Sequence, residues 1–253
     1  MYRSAQEQLI KAKELANPND YVVLADISFY NAICALQAKE SNAPELVEQV
    51  LNAVPQNPHY NTAAYEYAKY LFEIEKYKEA KKWLAEVNPS DIPKKNQAEF
   101  YFKSGYCFYH SGTKSDKIVA LNHFRRVKEE RNIYGDAATY YYSHIEYENG
   151  NYATAAKGFE RLRNNPNYSS VIPYYSMQIA FAQKNYDKVI EEGKDFINHA
   201  SAKRKSEIAR LVSEAYLYKG DAAKSLEFFK EYENDVNKLT REDTYLKGFI
   251  LYK

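Results

Sequence analysis

Two amphipathic helices joined by a tight corner are encoded in residues 61–89, NTAAYEYAKYLFEIEKYKEAKKWLAEVNP. The first half places Ala64, Tyr67, Ala68 and Leu71 at spacings of three and four, so they share one face of an α-helix. The same apolar spacing returns in the second half. A proline then ends it, because proline lacks an amide proton and disfavours helix at the residue before it. The stretch therefore predicts one helical hairpin.

The corner of this hairpin recurs along the chain. Its versions are Glu75-Lys76-Tyr77, Gly150-Asn151-Tyr152, Lys184-Asn185-Tyr186 and Gly220-Asp221-Ala222. Their third residues lie 75, 34 and 36 positions apart, and the first interval is about twice the others. Such a period is the signature of a repeat protein. The predicted hairpins are residues 25–58, 61–91, 97–131, 136–168, 170–200 and 206–238, with half-hairpins at 4–18 and 241–253.

Residue size also repeats. A small residue recurs near the eighth position of each first helix, as Ala32, Ala68, Gly105, Ser143 and Ser213, with Met177 as the exception. The early position of the second helix holds Ala80, Ala120, Ala155, Val189 and Ser225. Four residues later the chain has Leu84, Phe124, Phe159, Gly193 and Phe229. The hairpin 170–200 departs most, because Met177 and Gly193 reverse the expected sizes.

This pattern resembles the tetratricopeptide repeat, and the resemblance covers nearly the whole chain. It implies an all-α, right-handed superhelical solenoid of tandem hairpins, with residues 1–253 as a single solenoid. Half-hairpins at both ends predict a fragment of a longer array. Two phrases, residues 138–145 and 150–152, are similar to long tetratricopeptide proteins of the Gram-negative cell envelope. That likeness implies a periplasmic or cell-envelope location, with the cytoplasm as the alternative.

The resemblance also implies where a ligand binds, because the first helices of this family line a concave groove. On that analogy the candidate groove residues are Tyr65, Lys69, Phe72, Phe102, Tyr106, Tyr109, Tyr140, His144, Tyr147, Tyr174, Gln178, Phe181, Arg210 and Glu214. Aromatic anchors in a concave site carry much of the energy of protein interfaces. The first hypothesis is a scaffold that binds a protein or peptide segment in this groove. The second is a structural spacer without its own ligand, in which the rings only pack between helices.

Composition excludes other partners. The 35 basic and 34 acidic residues give a net charge of +1, which is no electrostatic footprint for nucleic acid. No apolar run approaches the roughly 20 residues that span a bilayer, so we expect no direct membrane insertion.

Enzymatic motifs are missing too. The sequence contains no GxGxxG, P-loop or GxSxG motif, so we expect no enzyme and no cofactor. Cys107 and His110 share a helix face, but no second pair of ligands completes a zinc site. We expect Cys34 and Cys107 to be small buried hydrophobic residues rather than a disulfide.

Overall fold

The computed structural model describes residues 1–198, 202–236 and 238–253. All regular secondary structure in these ranges is helical, which confirms the predicted all-α class. The helices are α1 (Tyr2–Leu15), α2 (Tyr21–Ala38), α3 (Ala43–Leu51), α4 (Tyr60–Glu73), α5 (Tyr77–Glu86), α6 (Lys94–His110), α7 (Lys114–Val127), α8 (Ile133–Glu148), α9 (Tyr152–Leu162), α10 (Ile172–Ala182), α11 (Tyr186–Phe196), α12 (Ala202–Tyr218), α13 (Ala222–Asp235) and α14 (Arg241–Tyr252). A short 3-10 turn, Pro89–Asp91, joins α5 to α6.

Helices that are neighbours in sequence pack against each other, as a solenoid requires. In the first unit α3 and α5 each contact their own first helix and the first helix that follows, and α11 and α13 do the same in the second unit. First helices also touch, α2 with α4, α4 with α6 and α10 with α12. The predicted packing of tandem helical hairpins is therefore confirmed, while the exact bounds of the hairpins and the two half-hairpins stay a prediction. His199, Ala200 and Asn237, inside predicted hairpins, lie outside the described residues.

The chain divides into two compact units, Met1–Tyr141 and Tyr142–Lys253. The core of the first unit runs from Phe29 on α2 to Cys107 on α6. The core of the second runs from Met177 on α10 to Tyr216 on α12. The assignment of residues 1–253 to a single solenoid stays a prediction.

Small residues set how closely the two helices of a hairpin approach. A Cβ atom on Gly105 of α6 would lie 2.8 Å from the ring of Phe124 on α7, so only glycine fits there. A Cβ atom on Gly193 of α11 would lie 2.3 Å from Val212 on α12, the first helix of the next hairpin, and 3.5 Å from the sulfur of Met177 in its own hairpin. Met177 is fully buried and fills the space beside Gly193. The reversed sizes in this hairpin thus compensate each other.

Helix α2 is more apolar than the sequence analysis indicated. Among the described residues it alone is long and apolar enough to cross a membrane by length and composition. The core helix of a globular protein meets the same criteria, so this is weak evidence for a membrane span. In the structure α2 packs against α1, α3 and α4, with Ile27, Phe29, Ala32, Ala35 and Leu36 buried.

Each hairpin corner contains one residue with left-handed backbone geometry. The φ angles are 53° at Lys39, 61° at Glu75, 76° at Gly112, 78° at Gly150, 61° at Lys184 and 84° at Gly220. Left-handed geometry costs a residue with a side chain roughly 1–2 kcal/mol, and glycine avoids that cost. Its occurrence at Lys39 shows that the first hairpin turns at the same place, although its sequence lacks the corner tyrosine.

Two glycines of the second unit test this account. We expect Gly150→Ala to lower the free energy of unfolding by about 1 kcal/mol, because alanine is strained at a φ of 78°. Gly248 lies inside α14 with no atom within 4 Å of its Cβ position, so Gly248→Ala should raise helix stability by about 0.5–1 kcal/mol. Urea unfolding followed by circular dichroism measures both changes. Equal signs for the two variants would contradict the role of the corner geometry.

Candidate binding surface

The candidate groove residues of α4 do not share one environment. Tyr65 is only 2% exposed, and its ring packs edge to face on Phe100 with centroids 5.8 Å apart. Its hydroxyl donates to Glu99 over 3.2 Å. Burial, with the nearby charge of Glu99, raises the pKa of Tyr65 well above its usual value. Tyr65 therefore packs in the core, whereas Lys69 and Phe72 are half-buried on the same helix.

Aromatic rings from three successive first helices form one connected surface in the first unit. We call it the ring surface and define it as Phe72 of α4, Phe102, Tyr106 and Tyr109 of α6, and Tyr141 of α8. Ring centroids lie 5.3 Å apart between Phe72 and Tyr106, 5.2 Å between Tyr106 and Tyr141, and 5.1 Å between Tyr109 and Tyr141. Every ring of this surface is half-buried. The rings thus pack on each other and still present part of their area to the outside.

Charged groups lie beside the ring surface and are paired with one another. The Lys103 ammonium lies 5.2 Å from the centre of the Phe72 ring and 2.8 Å from Glu99. Lys69 pairs with Glu66 over 3.1 Å. Burial acts to raise the pKa of Glu99, but its hydrogen bond and attraction to Lys103 outweigh this, and the pKa is lowered. Glu99 therefore stays ionised and paired at neutral pH.

The corner tyrosines make a contact that the sequence analysis did not identify. Tyr77, the first residue of α5, meets Phe72 at 5.3 Å with an interplanar angle of 68°. Tyr186, the first residue of α11, meets Phe181 at 5.6 Å with the same angle. Tyr152 meets Tyr147 at 5.9 Å in the same position of its hairpin. An aromatic residue five positions before a corner tyrosine is the sequence signal for this contact.

Helix α8 carries candidate residues of both units. Tyr140 belongs to the first unit, where its ring meets Tyr141 at 5.2 Å. His144 and Tyr147 belong to the second unit and contact Tyr175 at 5.3 and 5.5 Å. A groove that runs continuously through both units stays a prediction.

The remaining candidates on α10 and α12 are engaged with neighbouring side chains. The amide of Gln178 donates to the Tyr174 hydroxyl over 2.9 Å. The guanidinium of Arg204 lies 4.1 Å from the centre of the Tyr174 ring. Phe181 contacts Tyr186 and, at 5.9 Å, Tyr218. These residues pack within the second unit, and their role in ligand binding stays a prediction.

Arg210 and Glu214 belong to a polar cluster that holds α14. Arg210 lies 2.6 Å from Glu214 and 2.7 Å from the buried carboxylate of Asp243. The Tyr232 hydroxyl and the Thr240 hydroxyl also donate to Asp243, over 2.8 and 2.7 Å. Burial acts to raise the pKa of Asp243, but hydrogen bonds from Thr240, Arg210 and Tyr232 prevail and hold the pKa well below its usual value. Arg210 thus joins α12 to α14.

Within the described residues the cysteines and histidines belong to no cluster of metal-binding side chains. Both cysteines are free thiols, and burial raises the pKa of the Cys107 thiol to about 12. The ring of His110 packs on two tyrosines, with its centroid 4.2 Å from that of Tyr106 and 5.3 Å from that of Tyr77. Across residues 1–198, 202–236 and 238–253 no group of three or more metal-binding side chains comes together.

Comparison with known proteins adds little to this description. No protein-family model matches the chain, and no curated protein matches it. A solved structure similar to it is a tetratricopeptide repeat protein from Parabacteroides merdae, with 15% sequence identity and a TM-score of 0.45. The match covers 99% of this chain and 92% of the other. At this level of similarity the fold rests on the helices described above, and nothing about a ligand follows.

The cluster around Asp243 makes a prediction about stability and pH. We expect Asp243→Asn to lower the free energy of unfolding by about 2 kcal/mol near neutral pH, less than for a fully buried pair because Arg210 is partly exposed. Because the pKa of Asp243 is lowered in the folded state, its contribution is complete above the unfolded pKa of about 3.9 and is lost as the pH falls towards the lowered value.

Chemical denaturation at about pH 7 and about pH 3 tests this pH dependence. The difference between wild type and Asp243→Asn should shrink at the lower pH. Glu242→Gln, a change at the exposed neighbouring residue, is the control and should have little effect. An Asp243→Asn variant as stable as wild type at neutral pH would contradict the role of the cluster.

Proposed function

We propose that the chain is a protein-interaction scaffold and that the ring surface of its first unit binds apolar or aromatic side chains of a partner. The observation that carries the proposal is the half-buried contact chain from Phe72 through Tyr106 to Tyr141. Rings held by one another lose little conformational freedom when a ligand docks, which favours binding. Tyr106 and Tyr141 combine an apolar ring with a polar hydroxyl and Phe72 adds a wholly apolar ring, a composition common in the centres of interfaces.

The spacer hypothesis draws on a different observation. Tyr65 occupies a predicted groove position and is buried in the core, so at that position the ring serves packing alone. A spacer would use all rings in this way. A periplasmic or cell-envelope location rests on the sequence resemblance and remains part of the proposal for either function.

Affinity capture with matched variants distinguishes the two functions. The bait proteins are wild type, Tyr106→Ala/Tyr109→Ala on the ring surface, and Tyr21→Ala/Tyr30→Ala as the control with two exposed tyrosines of α2. We expect a partner retained by wild type and control to be reduced at least about tenfold by the ring-surface variant, because anchor residues each contribute on the order of 1–2 kcal/mol or more.

Folding is checked by circular dichroism and thermal unfolding of each bait. Tyr106 is embedded in several ring contacts, so Tyr109→Lys serves as a milder second variant that leaves Tyr106 in place. The Tyr109→Lys variant should weaken binding of the same partner, because it removes a ring and adds a positive charge to the ring surface. If folded variants and wild type retain the same proteins equally, the scaffold proposal fails and the spacer hypothesis stands.

A further inference from the structure

An apolar cleft opens between the first turns of α2 and the loop that joins α3 to α4. We call it the loop cleft; its walls are mainly apolar and include Tyr21, Val22, Leu24, Ala25, Val54 and Pro55. Val22 is 65% and Val54 96% exposed, so apolar side chains at its rim face the solvent. The loop cleft shares no residue with the ring surface. A ligand that binds here is therefore a second ligand of the first unit.

The corresponding loop of the next hairpin carries an apolar residue that this loop lacks. The loop from α5 to α6 contains Asn88-Pro89-Ser90-Asp91-Ile92-Pro93, and Ile92 is 3% exposed and belongs to the core of the first unit. The loop from α3 to α4 contains Val54-Pro55-Gln56-Asn57-Pro58, which is one residue shorter and has Asn57 before its second proline. The Asn57 side chain donates to the backbone carbonyl of Ala25 over 3.1 Å. The shorter loop therefore places no isoleucine of its own beside α2.

The size of the loop cleft suits the side chains of a peptide better than a small molecule. Its volume is about 280 Å³. Sites for small molecules and cofactors usually enclose about 300–1,000 Å³, so this cleft lies just below their range. One or two apolar side chains would occupy it, as Ile92 occupies the core beside the next loop.

Carboxylates border the loop cleft. Asp20 is the N-cap of α2, directly before the lining residues, and Asp26 lies between them and pairs with His59 over 2.6 Å. Residues 14–68 include seven acidic side chains and a single basic one, Lys39, at the opposite end of α2 from Asp20. Complementary charge favours a basic ligand at such a surface and disfavours an acidic one.

We propose that the loop cleft binds a peptide segment of a protein partner in which an aliphatic or aromatic side chain is flanked by lysine or arginine. The apolar side chain enters between Val22 and Val54, and the basic side chains lie beside Asp20 and Asp26. Contact between apolar groups supplies most of the affinity. The carboxylates select basic segments over acidic ones.

Titrations followed by nuclear magnetic resonance of the isotope-labelled chain test this proposal with three synthetic peptides. Their sequences are Gly-Lys-Leu-Lys-Gly, Gly-Lys-Ser-Lys-Gly and Gly-Glu-Leu-Glu-Gly, with blocked ends. We expect the first peptide to shift the amide signals of Val22, Leu24 and Val54 with a Kd of about 1 mM. The other two should bind at least about fivefold more weakly, because each lacks one of the two interactions.

Two pairs of matched variants separate the apolar contribution from the charged one. Val22→Ser should weaken binding of the lysine-leucine peptide at least about threefold, whereas Val23→Ser, at the adjacent position outside the cleft lining, should not. Asp20→Asn keeps a residue that can cap α2 and should weaken binding about two- to fivefold at low salt. Asp221→Asn, the same change at the N-cap of α13, is its control and should leave binding unchanged.

Three results would overturn the proposal. They are the absence of these shifts up to about 5 mM peptide, equal binding of the three peptides, and shifts confined to the ring surface. This titration and the affinity capture can fail independently, because the loop cleft and the ring surface have no residue in common. Tyr21→Ala/Tyr30→Ala changes a wall of the loop cleft but leaves the ring surface intact, so it remains the control for a ligand of the ring surface.

Discussion

The close approach of two helices at one small residue is the contact on which each hairpin depends. Where Ala68 or Ser213 is fully buried, the second helix comes near enough for its own side chains to fill the space between. Ser213 and Ser225 show the limit of this approach, because each hydroxyl donates to the backbone carbonyl of the other residue over 2.8 Å. A single hairpin still leaves its other apolar sides uncovered. Stability therefore comes from neighbours in sequence, and local contacts dominate the fold.

Local rules made the array predictable from sequence. Helical spacing and the corner residues indicate where α4 and α5 lie, because both signals are properties of a few adjacent residues. The corner at Lys39 was harder to place, since a residue with a side chain adopts the left-handed geometry that glycine adopts at Gly150. The compensation between Met177 and Gly193 was also hidden, because it depends on which side chains face each other across the hairpin.

The candidate site was less predictable than the fold, and the reason is physical. Residue spacing gives the side of a helix on which a groove residue lies. It does not give the exposure of that residue, because neighbouring helices cover some first helices more deeply than others. Tyr65 and Phe102 occupy equivalent positions, yet the first is buried and the second half-buried. The ion pair between Arg210 and Asp243 could not be predicted, because the spacing of residues within α12 does not reveal that α14 lies beside it. The periodicity of the sequence indicates which face of a helix a residue occupies. The contact partners and the exposure of that residue depend on how the helices pack.

Tyrosine resolves a conflict between packing and binding in this fold. A phenylalanine at Tyr77 or Tyr106 would keep the ring contacts but would lose the hydroxyl hydrogen bonds between Tyr77 and Tyr106 and between Tyr106 and Tyr141. These hydrogen bonds satisfy the polar tips of the half-buried rings, so the rings are tolerated without a ligand. The same half-burial limits what any one ring contributes to binding, because much of its area is already in contact. A ligand of the ring surface must therefore engage several rings together, and its length, rather than a single deep anchor, would determine its affinity.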